Sequence, residues 1–133
     1  MAEIGDAFLA RANESLAGAT SELANERFNN AANRSYYACF HAEISALARA
    51  GIRPPGDRGQ WTHAMVQSQF TGTLINRRKA YPAELQDMLL HLMRVRIVAD
   101  FDRAPVTKTH ATRAVRRAHA FVTRIAGDEG GHG

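Results

Sequence analysis

Apolar residues recur every three to four positions along almost the whole chain, which is the period of an α-helix. No segment alternates apolar and polar residues as a half-buried strand would. Ile4, Phe8, Ala12, Leu16, Ala19 and Leu23 fall on one face of a first helix over about 3–24. A short break at Asn25-Glu26-Arg27 leads into a second helix over about 28–50, where Tyr36, Phe40, Ile44 and Leu47 share a face. Gly51 closes that helix, and Arg53-Pro54-Pro55-Gly56-Asp57 forms a loop rich in helix breakers. A third, shorter helix is expected from about Gln60 to Phe70 or a little beyond, followed by a basic loop at Arg77-Arg78-Lys79. Pro82 suits the first turn of a fourth helix over about 82–99. Pro105 interrupts the chain again, and Thr107 or Thr109 can cap a fifth helix that reaches about Ile125. Residues 1–126 thus predict a single all-α domain, with a disordered tail over 127–133.

Two departures from this pattern carry chemistry. Beside the apolar face of the second helix, Asn30, Arg34, Tyr37 and His41 line up at spacings of four, three and four. On the fourth helix Leu85, Leu89, Leu92, Arg96 and Ala99 follow the spacing of a buried stripe, so Arg96 occupies a position reserved for an apolar side chain. Burying such groups unpaired is costly. Arg96 must therefore pair, extend along its stem, or line a cleft. The expectation is a polar pocket between the second and fourth helices in which Arg34 and His41 join Arg96. Asn33 and Tyr37 are candidates to bond a base or each other. The Arg77, Arg78 and Lys79 triplet is a candidate phosphate contact or simply a solvated loop. His63 is a candidate to reach the cleft, though Trp61, Met65 and Val66 around it suggest packing.

Charge narrows the partners. The chain carries a formal net charge of +4, spread unevenly. Residues 1–32 hold five acidic and two basic side chains, and residues 94–124 hold eight basic and two acidic. A basic C-terminal third attracts phosphates or an acidic partner. The single cysteine, Cys39, excludes an internal disulfide and fits a reducing, cytoplasmic setting, where it reads as a small core residue. The N-terminus does not resemble a signal peptide, and no apolar run approaches membrane-spanning length. No metal site or cofactor is expected. Cysteine pairs are absent, no two histidines stand at i, i+4 with a flanking glutamate, and no phosphate-cradling glycine loop precedes a helix.

Four parts of the chain, in order, resemble the HEPN-domain family (higher eukaryotes and prokaryotes nucleotide-binding), especially its small stand-alone prokaryotic members. They are Phe8-Leu9-Ala10-Arg11-Ala12, the segment Asn33-Arg34-Ser35-Tyr36-Tyr37-Ala38-Cys39-Phe40-His41-Ala42, His63 after the loop, and Arg96-Ile97-Val98-Ala99-Asp100-Phe101-Asp102 with a final helix through Ala120-Phe121-Val122. The resemblance implies an up-and-down bundle of four to five helices and a homodimer. It also implies a nucleotidyltransferase partner in a toxin–antitoxin pair and, in active members, metal-independent RNA cleavage. The usual signature is an Arg followed after four to six residues by a His, with two such sites facing one RNA-binding cleft in the dimer.

Arg96 fits the Arg position, but the next His is His110, beyond Pro105, and Asp100 and Phe101 stand in the region instead. Some relatives carry a Tyr that the partner adenylylates just after the His; Phe101 has no hydroxyl to modify. Two expectations follow. In the first, the protein binds RNA or a nucleotide as the toxin-like component of such a pair and cleaves RNA, with Arg96 on the phosphate and His41 or Asp100 handling the proton. In the second, it is a non-catalytic helical adaptor that binds a nucleotidyltransferase.

Overall fold

The computed structural model of the chain describes residues 2–56, 59–101 and 105–131, and within these the side chains of 2, 99–101 and 128–131 lie outside the description. The described residues form a helical bundle without strands. In chain order the elements are α1 (Ala2–Ala24), α2 (Phe28–Arg49), α3 (His63–Gln69), a π-helical segment (Phe70–Arg77), α4 (Glu84–Phe101) and α5 (Lys108–Gly131). The hydrophobic period thus predicts the all-α fold and its element order.

α2 is the central helix and packs against α1, α3, the π segment, α4 and α5. Small residues let it do so. Ala31, Ala32, Ala38, Ala42, Ala46 and Ala48 on α2 are all buried, as are Ala12 and Ala19 on α1. The bulk of the core comes from Ile44 and Leu47 of α2, Phe70 and Leu74, Leu85 and Leu92 of α4, and Phe121 and Ile125 of α5. Two hydrogen bonds pin the ends of α2 to its neighbours: Ser45 Oγ donates to the Gly5 carbonyl at 2.7 Å, and Asn29 Oδ1 accepts from the Val106 amide at 2.8 Å.

The helix ends follow local chemistry. α2 finishes at the expected glycine. Gly51 takes φ +81°, its amide donates to Ala48 O at 3.1 Å, and the Ile52 amide donates to Leu47 O at 2.9 Å. That is the Schellman pattern, which needs a left-handed residue. Thr107 rather than Thr109 caps α5, its Oγ1 accepting from the His110 amide at 3.1 Å. Thr62 caps α3 in the same way, accepting from the Met65 amide at 3.2 Å, so α3 begins at His63 rather than at Gln60.

Several boundaries differ from expectation. α3 does not fade after Phe70. It widens into the π segment, where the Arg78 amide donates to Thr73 O, five residues back, at 2.8 Å. In this wider turn Leu74 and Ile75 are both buried with Phe70. Arg77 closes this segment instead of opening a loop, and Lys79, at φ +51°, makes the turn. α4 runs Glu84–Phe101, with Pro82 in the preceding turn. α5 is helical to Gly131, past Ile125, the last buried residue among those described, and through positions whose composition suggests a disordered tail. On α1, Ile4 is exposed rather than part of the buried face. No described helix is long and apolar enough to cross a membrane.

Candidate functional site

Three helices meet at the Tyr36 ring. Tyr36 is buried on α2. The Arg96 guanidinium of α4 stands 4.6 Å from its centroid and 5.6 Å from that of Tyr37. His63, the first residue of α3, places Nδ1 2.6 Å from the Tyr36 hydroxyl, and Gln67 Nε2 donates to that hydroxyl at 3.1 Å. The His63 ring also stacks on Phe40, with centroids 4.2 Å apart and planes 9° from parallel. Arg96 therefore lines an aromatic cleft with its charge over π faces, a favourable placement for a guanidinium. Burial outweighs the pull of Arg96 and raises the Tyr36 phenol to about 12, so the hydroxyl stays protonated.

The polar stripe of α2 forms a second, adjoining feature. Asn30, Asn33, Arg34, Tyr37 and His41 line a groove of about 400 Å³ together with Ser15 of α1. This groove lies between α1 and α2. Among the described residues the lining of this groove includes Arg34 and His41 but not Arg96, and Tyr37 is the ring common to the groove and to the Arg96 contacts. The 3.6-residue period turns Tyr37 and His41 one step around the helix from Tyr36 and Phe40. Gly18 makes room for Arg34: a Cβ there would sit 2.8 Å from Arg34 Nη1. His41 packs against Phe8 and Tyr37, and its buried Nδ1 has no hydrogen-bond partner. Burial, helped by Arg11 and His63, holds its pKa below 6.5.

The remaining candidates sit elsewhere. Asp100 belongs to α4, but its side chain lies outside the described residues. Arg77, Arg78 and Lys79 are exposed. Arg78 Nη1 donates to the Ala50 carbonyl at 3.3 Å, and Lys79 lines a separate hollow with Arg124 of α5. Cys39 is fully buried, and burial pushes its thiol well up, as a core role predicts.

Two features are only weakly marked in the sequence pattern. Glu43 is fully buried on α2, with one carboxylate oxygen lacking a hydrogen-bond partner, and burial drives its pKa well above 4.5. It follows the apolar spacing from Tyr36 and Phe40, the only hint of its position. His63 is the second. Its apolar neighbours suggest packing, yet its ring edge bonds the phenol beneath Arg96. The Thr62 cap, recognisable as a helix start, was the available signal.

This bundle is a helical domain that holds an arginine of α4 over two tyrosine rings of α2, beside a histidine of α3. The HEPN domain family matches residues 6–128, nearly the entire chain, and the protein belongs to that family. No curated protein matches the sequence.

Proposed function

We propose that this HEPN protein binds RNA in the cleft under Arg96 and cleaves it without a metal ion, as the toxin-like component of a pair with a nucleotidyltransferase. One observation carries the reading: a guanidinium held over two tyrosine rings at 4.6 and 5.6 Å, beside an imidazole. A guanidinium forks onto two phosphate oxygens and stays charged, and the part-exposed Tyr37 ring offers stacking surface for an unpaired base. The adjoining groove adds Asn30, Asn33 and Arg34, groups suited to base edges and backbone.

Leu90 and Ile97, seven residues apart on α4, are 45% and 52% exposed. Seven residues is two turns, so both lie on one face. This apolar pair supports a homodimer formed through α4, which would bring two Arg96 clefts near one another. The same pair, with the missing His after Arg96, favours the second reading, an adaptor that offers this face to a nucleotidyltransferase.

The test is RNA affinity and RNA cleavage in EDTA, wild type beside Arg96→Ala. Binding should weaken at least about tenfold and cleavage fall about a hundredfold or more, the scale of losing one positioned charge. Unchanged affinity and cleavage would remove Arg96 from any role. Binding without cleavage in the folded wild type would favour the adaptor.

A further inference from the structure

The signature imidazole is missing from α4, but an imidazole reaches the same cleft from α3. Thr62 caps α3 and fixes where it starts, so His63 projects from the first turn toward α2. Phe40 supports one face of its ring at 4.2 Å, and the Tyr36 hydroxyl holds Nδ1 at 2.6 Å. Gln67, one turn further along α3, holds the same hydroxyl, so α2 and α3 fix the ring jointly. The ring is partly exposed, as is Arg96. With Nδ1 engaged, Nε2 is the nitrogen left for chemistry.

We propose that His63 is the general base of this site, set by Tyr36 and acting on a ribose next to the phosphate that Arg96 holds. The inference rests on the reading of the protein as a ribonuclease. His41 fits the role less well: its ring lies against Phe8 and borders the α1–α2 groove, and no described group fixes its Nδ1.

In the step the imidazole carries its proton on Nδ1 and donates it to the Tyr36 oxygen, the phenol turning its own proton away from the ring, and the Nε2 lone pair takes the proton of the ribose 2′-hydroxyl. The 2′-oxygen forms a bond to phosphorus as the bond from phosphorus to the 5′-oxygen breaks. The leaving 5′-oxygen takes a proton from water, and the imidazolium later returns its proton to water. The products are a 2′,3′-cyclic phosphate and a 5′-hydroxyl. Arg96 faces the charge on the non-bridging oxygens. Tyr36 is a positioning residue, since it acts through His63.

The surroundings keep the base in its working form. The groups facing His63 are Tyr36, Tyr37 and the His41 side of α2, Gln67 on its own helix, and Arg96 on α4. Burial and then Arg96 lower its pKa below 6.5, so the imidazole is neutral at pH 7, as a base must be.

The experiment is single-turnover cleavage of a labelled mixed-sequence single-stranded RNA in EDTA, from pH 5 to 8. Wild type, His63→Gln, Tyr36→Phe and Arg96→Ala are compared, with RNA affinity and thermal melting measured for each. The wild-type rate should climb with pH and level off below about 6.5, ending in a cyclic phosphate. H63Q should lose about 10²–10³-fold in rate together with that acid limb, at unchanged RNA affinity. Y36F should keep affinity and move the limb's midpoint. Should H63Q fail to fold, His63→Phe keeps the stack on Phe40 without the nitrogens and is expected to give the same loss. An H63Q enzyme that cleaves like wild type, beside an inactive R96A, would overturn His63 as the base and leave the ribonuclease reading intact. A folded wild type that cuts nothing would overturn both.

Discussion

Glu43 shows what one residue can cost at the centre of a bundle. Its carboxyl is fully buried and its pKa lies well above the ordinary 4.5. Below pH 4.5 it is protonated whether the chain is folded or not. Above that value the unfolded chain releases the proton and the folded chain keeps it, so the folded form binds more protons and stability falls with rising pH up to the folded pKa. His41 and His63, both lowered by burial, act oppositely: below pH 6.5 the unfolded chain takes up protons first and stability falls as pH drops. Comparing wild type with Glu43→Gln cancels the histidines. The variant should be the more stable protein at pH 7, with the gap closing toward pH 4.5 in urea melts. A gap that stays constant with pH would mean that Glu43 ionises freely. Arg96 is the other costly residue. Its place on the leucine stripe of α4 marks it as unusual, and the structure gives the reason: the stripe runs over Tyr36 and Tyr37, whose faces accept a cation.

At the scale of elements, helix ends place the site. The Thr62 cap sets the start of α3 and so presents His63 to α2. The Gly51 turn reverses the chain after α2 before the loop that leads there. Gly51→Ala puts a Cβ into a left-handed conformation and should cost about 1 kcal/mol, read as a lower midpoint in urea unfolding. An unchanged midpoint would show that the turn rearranges at no cost. The α1–α5 helices were recognisable from periodicity because each keeps one apolar stripe. The π segment was not, because its buried set, Phe70, Leu74 and Ile75, fits the α period at two positions and breaks it at the third. Nor was the extent of α5: a helix can run past its last packed residue when nothing in the backbone stops it, and composition alone does not say where it ends.

For the whole molecule, the bundle leaves α4 with two faces. One carries Leu85, Leu89 and Leu92 into the core, and the other leaves Leu90 and Ile97 in solvent. Isolated exposed apolar residues are common, and this pair, two turns apart on α4, is the face on which the proposed dimer can be tested. Ile97→Glu should turn a dimer into a monomer in sedimentation equilibrium without lowering the melting temperature of the subunit. A wild-type protein that sediments as a monomer at tens of micromolar would rule out this dimer. The basic C-terminal third is borne by the outer face of α5, where Arg113, Arg116 and Arg124 are exposed while Ala111, Val115, Ala118, Val122 and Ile125 are buried.

The sequence by itself determined the helical class, the order of the helices, their buried stripes and the anomaly of Arg96. Each depends on local periodicity, capping or breaker residues, whose physics acts within a few positions along the chain. It also determined the family, since the residues of α2 and α4 that mark it stand at readable spacing. The partners of those residues were decided only by tertiary structure. Arg34 and Arg96 look like members of one pocket in sequence, yet the turn of α2 sends the first toward α1 and the second onto Tyr36. His63 meets Tyr36 from 27 residues away. Contacts across such a span are set by how helices cross and by which side chains fill the space between them, and no spacing along the chain encodes that geometry.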